Sequence, residues 1–311
     1  MVTLTVVAAR LAQFACAMIL FGSPLFLLYG LPSRGPGAAS ALTWPRPLFL
    51  GAVIVLLLGA VLSLGAQTAV MTDSVAEAFK PASLAAVLTG SQFGLAIAAR
   101  LGLTILAALV LVAVRPSRSL WLLVAALGAG VVATFAWTGH GAADEGLTGL
   151  IHLISDILHL LAAAVWLGAL AALAILLLAS RGPVLKADLK ALHGALDGFS
   201  GIGSAVVAIL LATGLANSWF LVGPSHIGDV MQSPYGLLLS AKMALFAGML
   251  GLAALNRFRL TPRFGGALGT GVPTVAAVAA LRRSLTLESA VALLVLVLVS
   301  VLGTLAPLSA Q

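Results

Sequence analysis

Charge is scarce in this chain: Asp, Glu, Lys and Arg make up 8% of its 311 residues, against roughly a quarter in a soluble domain. A deficit of that size excludes a water-solvated globule, because too few polar side chains remain to cover its surface. Cysteine is nearly absent. Cys16 stands alone, which excludes an internal disulfide and any cluster of thiolate metal ligands. Long hydrophilic connectors are also missing, so no soluble domain is inserted between the apolar runs. Residues 1–311 are read as a single membrane domain.

What is abundant is hydrophobicity: 61% of residues are apolar, with a mean hydropathy of +1.17. A helix needs about 20 apolar residues to cross the hydrocarbon layer. Eight runs qualify, at roughly 3–28, 48–70, 91–114, 119–137, 150–179, 199–222, 235–257 and 285–306. Each must satisfy its backbone internally, so helices are expected throughout. The fold class is therefore all-α, a polytopic bundle of about eight transmembrane helices. The first run starts almost at Met1 and is too long for the apolar segment of a cleaved signal, so it is read as a retained helix. Helix breaks are expected at Gly30 to Gly37, at Arg181-Gly182-Pro183, and from Thr261 to Pro273.

The net charge of +7 does not point to nucleic acid, because no separate basic domain exists to bind it. Arg34, Arg46, Arg115, Arg118, Arg181, Lys186, Lys190, Arg257, Arg259, Arg263, Arg282 and Arg283 all fall in alternate connectors. The other connectors hold only Lys80. The positive-inside rule places the basic connectors in the cytoplasm and both termini on the far side.

That orientation gathers the rare polar residues. His140, His152, His159 and His226 fall at or near extracytoplasmic helix ends, with Asp73, Glu77, Asp144, Glu145 and Asp229, while His193 lies in a cytoplasmic connector. The sharpest group is His152-Leu-Ile-Ser-Asp156-Ile-Leu-His159 on the fifth run. At about 100° per residue its three polar side chains share one stripe, with the imidazoles about 10.5 Å apart along the axis. One ion does not easily take both from a straight helix. Either each His serves a different site, or the stripe is a relay leading a cation inward, with Trp166 continuing it deeper. A carboxylate within a membrane helix is expensive and calls for a partner or a task. Arg10, Arg100 and Lys242 stand at suitable depths to pair with Asp156, whereas Glu288 is read as a structural partner of Arg282 or Arg283. Imidazole without thiolate suits copper, zinc, iron or nickel, and thioether favours Cu(I). His and Met on the outer side point toward copper.

The segment Asp156-Ile-Leu-His159-Leu-Leu-Ala-Ala-Ala-Val-Trp166-Leu-Gly168 resembles the fifth-helix signature of the CopD copper-resistance membrane proteins. The resemblance continues through Phe199-Ser200, Thr213-Gly214-Leu215-Ala216-Asn217, Tyr235-Gly236 to Lys242, and Asn256-Arg257 to Pro262. Thr138-Gly139-His140 fits it as well. The resemblance spans about residues 135–263, with a core at about 196–263. It implies a multi-pass bacterial inner-membrane protein handling Cu(I) or Cu(II) in the lipid bilayer, served by a separate periplasmic copper carrier of the CopC type. Under that reading His152, Asp156 and His159 receive the ion and His140 or His226 completes the site. Lys242 neutralises a carboxylate or responds to the ion. A haem-b electron-transfer cytochrome is an alternative, but it wants paired His on facing helices. A copper-binding subunit without transport is another. A membrane metalloprotease would need His-Glu-x-x-His, which is absent, and no enzyme activity is expected.

Overall fold

In the computed structural model, residues 2–30, 44–139, 146–179, 186–270 and 275–310 are described. Ten α-helices occur among them, with no strand. They are α1 (Val2–Gly30), α2 (Pro45–Thr72), α3 (Pro81–Gly90), α4 (Gln92–Ala113), α5 (Arg118–Ala133), α6 (Gly146–Ala179), α7 (Lys186–Val222), α8 (Pro234–Leu255), α9 (Thr261–Thr270) and α10 (Val275–Leu302). Eight stretches among the described residues are long and apolar enough to cross a membrane, one in each helix except α3 and α9, with the α8 stretch running on into α9 as far as Leu268. Their outward faces carry exposed Leu, Ile and Val, such as Ile54, Leu58, Leu62, Leu109 and Leu293. In lipid these positions need no cover.

The spans follow the expected runs, with three differences. His193, expected in a connector, lies inside α7, which begins at Lys186 and so reaches beyond the apolar run. The imidazole rests against Phe264 and Gly265 of α9, a contact that rewards the extra turns. The Thr261 to Pro273 stretch does not break the chain throughout, because Thr261–Thr270 is helical. Pro262 directly follows the π-helical turn Asn256–Leu260, where the helix is already off its regular hydrogen-bond ladder. Finally, α10 begins at Val275, ten residues before the apolar run, so Arg282 and Arg283 are helical. Between α2 and α4 the chain makes a 3-10 turn (Val75–Phe79) and α3, neither of which is long enough to span.

α1 is the central post, packed against α2, α5, α6, α7 and α10. Small residues permit its closest approach. Gly22 on α1 and Gly168 on α6 face each other backbone to backbone, and a Cβ on either would overlap the other helix. The Ser23 hydroxyl donates to the Gly168 carbonyl across this crossing at 2.8 Å. Without a hydrophobic driving force between helices in lipid, such close packing and interhelical hydrogen bonds hold the bundle. Gly128 of α5 meets the backbone of Leu20 and Phe21 in the same way.

Arg100, nearly fully buried at 2% exposure, is held by neutral groups. Its Nε donates to Thr134 at 2.9 Å, Nη1 to Gln13 at 3.3 Å and Nη2 to Thr138 at 3.1 Å. The guanidinium lies 3.6 Å over the Phe135 ring. These bonds tie α4 to α1 and to the end of α5, so Arg100 serves the scaffold and does not pair with Asp156.

At the end of the bundle where α1 begins, Glu77 accepts from Lys80 Nζ at 2.6 Å and from the Ser83 hydroxyl. These bonds hold its carboxyl below the ordinary 4.5. The bonds favour the charged form, so their contribution is present above the unfolded pKa and is lost as pH falls through the lower folded value. The pair is solvent-exposed and contributes little stability. Lys80→Met is expected to raise the Glu77 titration midpoint toward 4.5, read by NMR on selectively labelled protein. An unmoved midpoint would contradict this account of the loop.

Candidate functional site

α6 begins beside the polar end of the bundle and runs inward past α7, α8, α10 and α1. Here a cavity of about 170 Å³ opens between the five helices and the end of the α5 segment. Its polar wall is made by Arg10 of α1, His152, Asp156 and His159 of α6, Asn217 of α7, and Tyr235 and Lys242 of α8. The stripe expected on the fifth span therefore faces inward, toward neighbours and away from lipid. Met18 of α1 adds a thioether, and Leu160, Leu239 and Val299 close the apolar part.

Neighbours position His152, Asp156 and Arg10 in this wall. His152 is 2% exposed, and its ring stacks on Phe220 at 4.6 Å between centroids and 14° between planes. Ser155 donates to the Thr213 carbonyl at 3.3 Å, fixing α6 against α7. The Asn217 amide donates to Asp156 Oδ1 at 3.3 Å. Lys242 and His152 lie close enough to Asp156 to act on its charge. Arg10 lies along Gly303, so close that a Cβ there would strike the guanidinium.

His159 Nδ1 is 3.0 Å from the Thr213 hydroxyl, and that hydroxyl stands 2.6 Å from the Ile209 carbonyl. A hydroxyl has one proton, and the carbonyl can only accept. The Thr213 proton therefore goes to Ile209, and the bond to His159 requires Nδ1–H as donor. Nε2 is left with its lone pair. This is the arrangement in which a second-shell oxygen orients a ligating imidazole. Nothing in the sequence alone assigned that role to Thr213, although a β-branched hydroxyl residue one helix away from an intramembrane His is the signal to look for.

The other expected ligands fare differently. His140 lies outside the described residues. His226 sits in the 3-10 turn Pro224–Asp229, with its Nδ1 3.1 Å from the Ser225 hydroxyl, and is not on the cavity wall. Among the described residues, no three His, Cys, Asp or Glu side chains converge closely enough to hold one ion. The cavity's imidazoles both come from α6, so among the described residues no His faces them from another helix.

Trp166 does not continue the polar stripe into this cavity. Its Nε1 donates to Glu288 Oε1 of α10 at 2.8 Å, and it walls a second cavity of about 320 Å³ toward the opposite end of the bundle. Glu288 itself is not the expected partner of Arg282 or Arg283. It is 2% exposed, and its second oxygen accepts from the Asn256 amide at 2.8 Å.

Comparison with known proteins gives the family of the chain. Residues 1–150 match the family described as "Copper resistance protein D-like, N-terminal domain", and residues 193–302 match "Copper resistance protein D". The chain is 38% identical to Copper resistance protein D of Pseudomonas syringae pv. tomato, over 97% of this chain and 96% of that protein. It is 29% identical to Inner membrane protein YebZ of Escherichia coli K12, over 99% and 100%. A shorter match, 33% identical over 42% of this chain, covers 23% of Copper transport protein CutJ of Bacillus subtilis. No solved structure matches significantly. With full-length likeness at this level and eight apolar spans, the chain is a multi-pass membrane protein of the copper resistance protein D family.

Proposed function

We propose that this protein moves copper across the bacterial inner membrane, and that the ion is received in the cavity where α1, α6, α7, α8 and α10 meet. The observation that carries this reading is His159: half-buried in the bundle, on the cavity wall, with Nδ1 committed to Thr213 and Nε2 left as a lone-pair donor. Asp156 supplies negative charge one turn away, and His152 stands nearer the mouth. Met18 adds a soft thioether suited to Cu(I).

Arg46, Arg115, Arg118, Arg257, Arg259, Arg263, Arg282 and Arg283 all stand at or toward the opposite end of the bundle from the cavity mouth. By the positive-inside rule that end is cytoplasmic and the cavity opens outward. A separate periplasmic carrier would then deliver the ion. The wall carries two basic side chains, Arg10 and Lys242, and one carboxylate, Asp156. An arriving cation is repelled unless one positive charge yields. Lys242 is the group that yields: it neutralises Asp156 when no ion is bound and releases it to the ion.

Purified protein in proteoliposomes is expected to carry copper down an imposed gradient, and Asp156→Asn to abolish that flux. Wild-type flux equal to that of empty liposomes would contradict transport and leave copper binding alone. Thr213→Val keeps the shape but removes the hydroxyl that fixes the tautomer. It is expected to weaken copper binding about 10–100-fold, measured by competition with a chromogenic chelator, with the fold retained. Unchanged affinity would remove the tautomer argument.

A further inference from the structure

We infer that Glu288 and Asn256 form a proton-binding site in the wall of the second cavity, where the protein exchanges a proton with the solvent at the end of the bundle opposite the candidate copper site. Glu288 lies within a membrane-spanning helix, yet the described residues give it no cationic partner within ion-pair distance. Its two oxygens are instead met by one neutral donor each, Trp166 Nε1 and Asn256 Nδ2, both at 2.8 Å. A charged carboxylate buried under lipid without a counter-ion is unfavourable, and a proton removes that charge.

The surroundings accommodate both forms. Asn256 Oδ1 is buried and has no hydrogen-bond partner, an acceptor that calls for a donor. Turning the amide by half a rotation exchanges Nδ2 for Oδ1. In one position Asn256 donates to the carboxylate. In the other it accepts from a proton on Glu288 Oε2, so Oδ1 gains the donor it lacks and Nδ2 turns toward the cavity side of the turn. Trp166 keeps its bond to Oε1 throughout. Proton uptake thus forms one O–H bond on Oε2 with a proton from cavity water, and release reverses it.

The backbone is arranged to present this amide. Asn256–Leu260 is a single π-helical turn between α8 and α9, with Asn256 buried and Arg257, Phe258 and Arg259 exposed. Such turns frequently mark functional positions. The cavity of about 320 Å³ provides the route for water. Arg257 is the other charged side chain on its wall and donates to Ser204 of α7. Among the described residues, α6, α7 and α8 present no titratable group to the cavity. Of the other titratable or charged groups among the described residues at this end, His193 packs on α9, Asp197 is exposed on α7, and Arg282 and Arg283 precede Glu288 on α10. Trp166 joins Glu288 to the helix that carries Asp156 and His159, so the two sites share α6. Coupling of proton uptake at Glu288 to copper movement rests on the transport reading above, whereas the proton site does not.

The test is pH-difference infrared spectroscopy on the full-length protein in lipid. Wild type is expected to show the carbonyl band of a buried protonated carboxylic acid that vanishes on raising pH. Glu288→Gln is expected to lose that band, and Asp156→Asn to retain it. No such band in wild type, or its persistence in Glu288→Gln, would overturn the proton site. A second arm uses proteoliposomes holding a pH-sensitive dye and a copper gradient. Wild type is expected to change internal pH as copper moves, and Glu288→Gln to bind copper with unchanged stoichiometry but lose the dye response. Copper flux in wild type without a dye response would overturn the coupling. Absent flux would overturn transport, with the infrared result still deciding the proton site.

Discussion

His159→Ala is expected to lower copper affinity by more than about 100-fold, since removing a ligand exceeds the loss of about 10–100-fold seen for groups that merely support one. The imidazole is held by one hydrogen bond to Thr213, so its removal leaves a small cavity and a hydroxyl still bonded to Ile209. The fold should survive, with a stability loss of about 1–3 kcal/mol. Copper stoichiometry in purified protein and thermal unfolding of the same sample separate the two effects. Wild-type stoichiometry and affinity in a folded His159→Ala protein would take this residue out of the account. Binding by wild type should also weaken as pH falls, because protons compete with the metal for imidazole and carboxylate.

Gly168→Val acts on assembly and leaves the site's chemistry alone. A Cβ at position 168 would overlap the backbone of Gly22 and Ser23, which has no flexible end to move aside. The helices must separate, and the Ser23 to Gly168 hydrogen bond is lost with them. Overpacking costs about 1–3 kcal/mol and occasionally more, and a clash with backbone belongs at the upper end. Because α6 carries His152, Asp156 and His159, displacement from α1 also opens the cavity. Gly168→Val is therefore expected to yield little folded protein, and what folds should unfold well below wild type. A wild-type unfolding midpoint in detergent would show that the α1–α6 crossing is not as close as described.

The contrast between these two positions shows how far the sequence is legible. The eight spans can be read directly, because the hydrocarbon layer demands about 20 apolar residues in a row. Asp156 and His159 stand out in the sequence because polar groups are costly in lipid. What stays hidden is which side of a helix meets which neighbour. Gly22 and Gly168 are ordinary glycines in sequence, and only the crossing makes them indispensable. Thr213 carries no hint that its proton is committed to Ile209. Glu288 reads in sequence as a partner for the arginines five and six residues before it, but α10 turns it inward to Trp166 and Asn256. Trp166 follows the stripe by angle, yet its long indole reaches α10 instead of the first cavity. The extension of α7 to Lys186 was invisible because the apolar pattern stops earlier than the helix.

The central claim is that a copper ion sits in the cavity walled by α1, α6, α7, α8 and α10. A structure of the copper-loaded protein in lipid, with copper identified by anomalous scattering, tests it directly. The expected result is one copper peak on the Nε2 side of His159, within the walls formed by Met18, Asp156 and Lys242. A peak elsewhere, or fully loaded protein with this cavity unchanged, would contradict it.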